Sequence, residues 1–265
     1  MPSIVQLREF WRLCFLMSEL VKNKYYFVSD VHLGLRAFDP EEREKKFATF
    51  LYQLPDDTAH LYLLGDIFDF WYEYKYVIPR RFTRTLGALS FLVDKGVQVF
   101  FLKGNHDVWT YDYLQSEVGV TLLDEMTVVP VGGKMFCLAH GDELIGERSH
   151  NFLKGVFKNR FLQVLFSAIH PRWAFSVATR WSKHNRLVKS ERLEFRGEGD
   201  PLYRVAAEFE KSNLVDIFIF GHMHTPGNNL TPKGAGFYIL GEWVHGCEYL
   251  VFDSESGTLE WEKGC

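Results

Sequence analysis

From Tyr25 onward, short apolar runs alternate with segments of helical spacing. YYFVSD, HLYLLGD and VQVFFLKGNHD read as strands, and EEREKKFATFLYQL and RRFTRTLGALSFLVDKG between them read as helices. A β-α-β-α-β order predicts a mostly parallel sheet whose strands are covered by helices. MTVVPV and KMFCLAHGD then flank Gly132-Gly133, a two-residue loop suited to a tight hairpin because glycine accepts positive φ. After an expected helix over PLYRVAAEFEKSN, the runs DIFIFGHMH, FYILGEW and CEYLVFDSESGTLEWE close the chain in strands.

Two regions depart from this alternation. Residues 1–24 are rich in apolar side chains, but Arg8, Glu9, Arg12 and Glu19 spoil them as a secretory signal. They read as an N-terminal amphipathic arm, or as an extension ahead of an alternative start at Met17. Between Ser149 and Ser190 there are eight basic residues, many aromatics and no acid at all. This stretch reads as helices broken near Pro171, so the layout expected is one domain over 25–265 with a helical insertion at about 147–200.

Composition narrows the class. With 265 residues, 47% of them hydrophobic, the chain can bury a large core, which excludes a disordered or fibrous protein. A net charge of −4 leaves no overall basic field to hold nucleic acid, so any polyanion must be bound locally. Cys14, Cys137, Cys247 and Cys265 form no C-x-x-C pair, which fits a reducing cytoplasm better than a disulfide framework or a thiolate zinc site. No run reaches the roughly 18 apolar residues of a membrane span, so a cytoplasmic protein is expected.

Candidate chemistry sits where the apolar strands end. Asp30-x-His32, Gly65-Asp66, Gly104-Asn105-His106-Asp107, His140-Gly141-Asp142 and Gly221-His222-x-His224 each follow such a run. In open α/β sheets, sites form beyond the carboxyl ends of the strands, where all five clusters can converge. Alone, each is more often a turn residue, a helix cap or a satisfied histidine; five together are not readily explained that way. The ligand types are two carboxylates (Asp30, Asp66), four imidazoles (His32, His140, His222, His224) and the Asn105 amide oxygen. That oxygen and nitrogen mixture suits manganese, iron, cobalt or zinc in a catalytic rather than structural role. Seven ligands are too many for one open site but fit two that share a carboxylate, with Asp66 the natural bridge. Asp30 and His32, like His222 and His224, stand two apart, a spacing that on a strand places both side chains on one face.

In this order, D-x-H, G-D, G-N-H-D, H-G-D and G-H-x-H resemble the calcineurin-like metallophosphoesterase superfamily over roughly Tyr25 to Trp243. The resemblance implies an α/β fold, a four-layer α-β-β-α sandwich with a helical insertion. It also implies two divalent ions, manganese first among them, one held by Asp30, His32, Asp66 and His224 and the other by Asp66, Asn105, His140 and His222. LYLLGDIFDFWYEY, the insertion between H-G-D and G-H-x-H, and YILGEW are similar to the UDP-2,3-diacylglucosamine diphosphatase branch, which splits a pyrophosphate in lipid A synthesis to UMP and an acylated sugar 1-phosphate. That branch commonly has arginine where this chain has His106.

The expected chemistry is in-line attack on phosphorus by water acidified between two cations. His106 would serve the leaving oxygen as acid or charge stabiliser, and Asp107 would orient it. Arg180, Lys183, Asn185, Arg186 and Lys189 are the expected contacts to nucleotide or phosphate, and the basic, aromatic insertion suits an acylated substrate and an anionic membrane surface on the inner face of the cytoplasmic membrane. The expected partner is therefore a UDP-linked acylated sugar lipid, without nucleic acid or an obligate protein. The alternatives are a phosphodiesterase or phosphatase using the same metals on another phosphoester, and a non-catalytic scaffold that keeps the fold.

Overall fold

The computed structural model describes residues 22–36, 39–145, 160–171, 173 and 195–264. The strands are β1 (Lys24–Val28), β2 (Thr58–Leu64), β3 (Gln98–Leu102), β4 (Thr121–Leu122), β5 (Met126–Val131), β6 (Lys134–Ala139), β7 (Ile217–Phe220), β8 (Gly227–Leu230), β9 (Gly236–Ile239), β10 (Glu248–Asp253) and β11 (Thr258–Lys263). The helices are α1 (Pro40–Tyr52), α2 (Thr83–Asp94), α3 (Tyr113–Ser116), α4 (Arg160–Ser167) and α5 (Pro201–Phe209). Two helix starts follow directly from an Asp-Pro pair. Asp39 accepts from the amides of Glu41 and Glu42, Asp200 accepts from that of Leu202, and the proline after each sits where a helix has no use for an N–H.

Two sheets result, one ordered β11-β10-β1-β2-β3-β4 and the other β5-β6-β7-β9-β8. β1 to β4 run parallel, as do β6, β7 and β9, while the antiparallel strands β10, β11, β5 and β8 lie outside them. The predicted β5–β6 hairpin turns on Gly132 and Gly133, with φ of 51° and 85°. β4 and β8 have no counterpart in the sequence reading: one is two residues long, and the other is the glycine- and asparagine-rich GNNL.

Strand alternation decides which layer each side chain enters. Tyr26 and Val28 of β1, with Leu61 and Leu63 of β2, face α1 and α2, where they meet Phe47, Leu51 and Leu89. Their neighbours Phe27, Tyr62 and Leu64 point between the sheets against Phe136, Leu138 and Ile219. Cys137, Phe218 and Phe220 leave the second sheet on its far side, against Leu202 and Ala206 of α5. Strands buried on both faces are near-continuous apolar runs, and the layers stack as α-β-β-α. Cys137 is a free buried thiol, but Cys247 is disulfide-bonded, so the cysteines are not all free as their spacing suggested.

Part of the expected insertion is visible as α4, which ends ahead of Pro171. The Phe166 ring lies 4.9 Å from Tyr72 and 5.2 Å from Trp109, and the Tyr72 hydroxyl donates to the Gln163 carbonyl at 2.9 Å. The proposed N-terminal arm is outside the described residues, apart from Lys22 to Lys24, as is most of the insertion.

Phe27 is fully buried between the sheets, its ring stacked 5.0 Å from Tyr62 and 5.4 Å from Phe136. Phe27→Ala should therefore lower the unfolding free energy by about 3–5 kcal/mol in urea titrations, with little change in the m-value.

Candidate metal centre

All five polar clusters lie just beyond strand ends, on β1, β2 and β3 of one sheet and on β6 and β7 of the other. Backbone hydrogen bonds stitch the loops together. The Asp30 amide donates to the Gly65 carbonyl, that of His32 to Asp66, that of Gly221 to His140 and that of Trp243 to Asp30. Among the described residues, six other than glycine have φ in the left-handed region, and five are expected ligands: Asp30 (54°), His32 (49°), Asp66 (53°), His222 (70°) and His224 (60°). Such conformations cost about 1–3 kcal/mol each and gather where a site over-determines the backbone. They correct one expectation. Asp30 and His32, and likewise His222 and His224, share a cleft through left-handed turns past the strands, not through the two-residue strand repeat.

Glycines allow the loops to close. A Cβ on Gly104 would fall 2.2 Å from Asp66 Oδ1, one on Gly65 2.7 Å from His140 Nδ1, and one on Gly221 2.2 Å from Ser29 Oγ. No side chain fits at any of the three.

Asp30 and Asp66 are buried, and each divides its oxygens between two tasks. Asp30 Oδ2 accepts from the Ser29 hydroxyl at 2.6 Å and the His222 amide at 2.9 Å, while Oδ1 faces His224 Nε2 at 3.3 Å and His32 Nε2 at 3.7 Å. Asp66 Oδ1 accepts from the His106 amide at 2.9 Å, while Oδ2 faces His140 Nε2 at 3.5 Å, His106 Nε2 at 3.9 Å and His32 Nε2 at 4.0 Å. One oxygen fixes the carboxylate and the other looks into a ring of imidazoles. Ligand atoms of Asp30, His32, Asp66 and His224 all lie within 4.8 Å of one another, close enough to hold a divalent ion.

The imidazoles are set for the same task. His140 Nδ1 lies 2.9 Å from the Leu64 carbonyl and donates to it, leaving Nε2 buried without a hydrogen-bond partner; His222 Nδ1 is buried and unpartnered as well. His224 Nδ1 meets Glu242 at 3.2 Å, which turns Nε2 towards Asp30. A nitrogen committed outside the cleft and its partner aimed inward is the arrangement that metal-bound histidines use. Buried donors that lack partners, two divided carboxylates and no thiolate fit divalent cations well.

Electrostatics agree. Burial works against charge on both carboxylates, yet the surrounding histidines hold Asp30 and Asp66 well below the usual carboxylate range. Burial, reinforced by charge on His140, pushes His222 down to about 4. For His224, hydrogen bonds that it donates to Asp30 and Glu242 overcome burial and raise it to about 9, and the same contact, with His245, draws Glu242 down to about 2 despite burial. His140 and His224, both raised above the ordinary imidazole value by these carboxylates, offset the two negative charges when protonated, and a cation bound there would displace those protons.

The other expected residues are placed differently. The Asn105 side chain is exposed; its backbone lies between Gly104, packed on Asp66, and the His106 amide that donates to Asp66. His106 is at the mouth of the cleft, but Asp107 does not orient it. Asp107 is fully buried and accepts from the amides of Gly104, Asp66, Ile67 and Phe68, at 2.7 to 3.3 Å, tying the loop after β2 to the loop after β3. Burial, followed by the Asp66 charge, raises its carboxyl to about 7. Adjacent residues on a turn point apart, and the orienting contact comes from Asp69 instead. His106 Nδ1 lies 2.8 Å from the Asp69 carbonyl and 3.8 Å from its carboxylate, which also faces His32 Nδ1 at 3.8 Å. Asp69 and Glu242 are the functional residues the sequence reading missed, although both lie in quoted runs, GDIFDF and LGEW. Arg180, Lys183, Asn185, Arg186 and Lys189 lie outside the described residues.

Two outcomes follow from this geometry. Gly104→Ala would press its Cβ on both the carboxylate and the backbone amide of Asp66, so it should lower bound manganese by metal analysis about tenfold or more and also lower the melting temperature followed by circular dichroism. Because His224 is raised to about 9, divalent ions compete there with a proton. Manganese affinity by calorimetry should therefore climb as pH rises from about 6 towards 9, with proton uptake by the buffer. A pH-independent affinity would remove His224 from the ligand set.

The profile of the calcineurin-like phosphoesterases matches residues 24–226. Among curated relatives, the UDP-2,3-diacylglucosamine hydrolase of Porphyromonas gingivalis is 36% identical over 256 residues, spanning 91% of this chain and 98% of that one. The Neisseria meningitidis protein of the same name is 30% identical, spanning 82% and 89%, and the Haemophilus influenzae strain Rd protein is 26% identical, spanning 90% and 98%. With that match, and with every expected cluster at a strand end of an α-β-β-α sandwich, the chain belongs to the calcineurin-like phosphoesterases.

Proposed function

We propose that this protein is a metal-dependent pyrophosphate hydrolase that cleaves UDP-2,3-diacylglucosamine to UMP and 2,3-diacylglucosamine 1-phosphate, a step of lipid A synthesis. The observation that carries the reading is the full-length similarity to hydrolases named for that substrate, in a chain whose histidine and aspartate clusters gather in one cleft. Asp30, His32, Asp66 and His224 would hold one divalent ion, and Asp66, Asn105, His140 and His222 a second, with manganese as the expected metal. When bound, the ions supply charge neutralisation at the phosphoryl oxygens and a water acidified towards neutrality.

The remaining work falls to the chain itself. The Asp69 carbonyl accepts the Nδ1 proton of His106, which leaves Nε2 directed into the cleft beside Asp66. There His106 holds a proton for, or hydrogen-bonds to, the oxygen that leaves with the sugar phosphate. Asp107 acts at a distance by locking the loops that carry Asp66 and His106. Arg180, Lys183, Asn185, Arg186 and Lys189 remain the proposed nucleotide and phosphate contacts, on chemistry alone.

The manganese-loaded protein is offered UDP-2,3-diacylglucosamine in detergent micelles beside bis-p-nitrophenyl phosphate. UMP release from the lipid with little diester hydrolysis is expected; the reverse preference would overturn the substrate assignment. His106→Ala should lower kcat for UMP release by about 10²-fold or more with metal content unchanged, and full turnover would remove His106 from the chemistry.

A further inference from the structure

Ser29 follows the last residue of β1 and is fully buried, one position ahead of Asp30. Its hydroxyl has three acceptors in reach: Asp30 Oδ2 at 2.6 Å, the Leu64 carbonyl at 2.9 Å and the Gly65 carbonyl at 3.3 Å. A hydroxyl has one proton to give, so only one of the three can hold it fully. Hydrogen bonds to a charged oxygen are shorter and stronger than those to a neutral one, and the shortest of these contacts is the one to the carboxylate. The proton therefore belongs to Asp30.

The nearer of the two carbonyls is already in use. Leu64 ends β2, and its carbonyl accepts the Nδ1 proton of His140, from the loop after β6, at 2.9 Å. Asp30 is thus aimed by Ser29 and the His222 amide, both on Oδ2, while His140 is aimed by Leu64. These are separate contacts, one for each of the two expected ions. Gly221 closes the arrangement from the β7 side: a Cβ there would fall 2.2 Å from Ser29 Oγ and 2.9 Å from Asp30 Oδ2, so the loop that brings His222 and His224 lies directly on the hydroxyl and the carboxylate it holds.

We propose that Ser29 is a positioning residue for one of the two expected ions and not for the other. Its proton holds Asp30 with Oδ2 turned to the protein and Oδ1 turned to the imidazoles of His32 and His224, so the ion that Asp30 would share with them depends on it. The ion expected at His140 does not, because the contact that orients His140 runs through Leu64 and survives loss of the hydroxyl. A buried hydroxyl needs only one partner, and either carbonyl could satisfy it, so the bond to Asp30 serves the carboxylate rather than the serine. This role rests on the metal-dependent reading of the cleft and not on the identity of the substrate.

The test titrates the metal-free, full-length wild type and Ser29→Ala with manganese by calorimetry at one fixed pH, and reads the melting temperature of each without metal. The wild type should take up two equivalents. In Ser29→Ala one equivalent should bind about 10- to 100-fold more weakly, the usual loss when a group that orients a metal ligand is removed, and the other should keep close to its wild-type affinity. The metal-free melting temperature should fall by only about 2–4 °C, as for a single buried hydrogen bond in a chain of this size. Two equivalents weakened alike would mean a general loosening of the cleft, and neither weakened would mean that Asp30 needs no such donor. A variant that no longer folds would assign Ser29 to the stability of the core. Each of these overturns the proposal. A wild type that takes up fewer than two equivalents would fail the two-ion reading, and the proposal with it, so the two failures are told apart by the wild-type titration alone.

Discussion

Asp30 and Asp66 set the terms for everything around them. Two carboxylates are held out of water where two sheets meet, each with one oxygen bound by amides or a hydroxyl and the other aimed at imidazoles. Like charges so close together inside a protein are tolerated only with compensating positive charge. His140 and His224 supply it in part when protonated, and divalent cations bound there would supply it in full. The fold is therefore arranged around a demand for cations, and hydrolysis of a phosphoric ester or anhydride is a natural use of cations held that way.

The strain of the site is distributed by the same logic. Five expected ligand residues at positive φ carry a cost of several kcal/mol between them. The loops cannot relax, because each starts from a buried strand whose hydrogen bonds continue across the sheet, and because Gly65, Gly104 and Gly221 leave no room for an alternative packing. Asp107 adds the cross-brace, satisfying four amides of the loops that flank Asp66. Removing that carboxylate would strand buried donors, a loss of stability first and of catalysis only through it.

The alternation of strand and helix, the Gly132-Gly133 hairpin and the gathering of five clusters at strand ends were legible in the sequence, because each depends on local periodicity or on a general rule for α/β sheets. What was not legible depends on turns. Asp69 reaches His106 across 37 positions through its own carbonyl as well as its carboxylate, and no side-chain pattern announces a carbonyl. Glu242 meets His224 from the loop after β9, and its role emerges only once that loop is folded over β7. Asp107 stands next to His106 in sequence, which suggests a pair, yet the turn sends the two side chains apart. β8 was hidden because GNNL has the composition of a loop and is a strand only by pairing with β9.

One segment joins these levels. Between Asp66 and Val77 the chain passes from the metal centre to a surface turn with Lys75 and Tyr76 at its tip, and it is fastened along the way. Asp107 holds Ile67 and Phe68, the Trp71 amide donates to the His106 carbonyl, and buried Glu73 accepts from the Trp71 indole and from the amides of Tyr111, Asp112 and Tyr113. A strut bonded at so many points has few ways to bend, so the Lys75–Tyr76 tip and the Asp66 carboxylate keep a fixed relation. The same strut carries Asp69, so the contacts of its carbonyl and carboxylate with His106 and His32 are held by bonds made well away from the cleft.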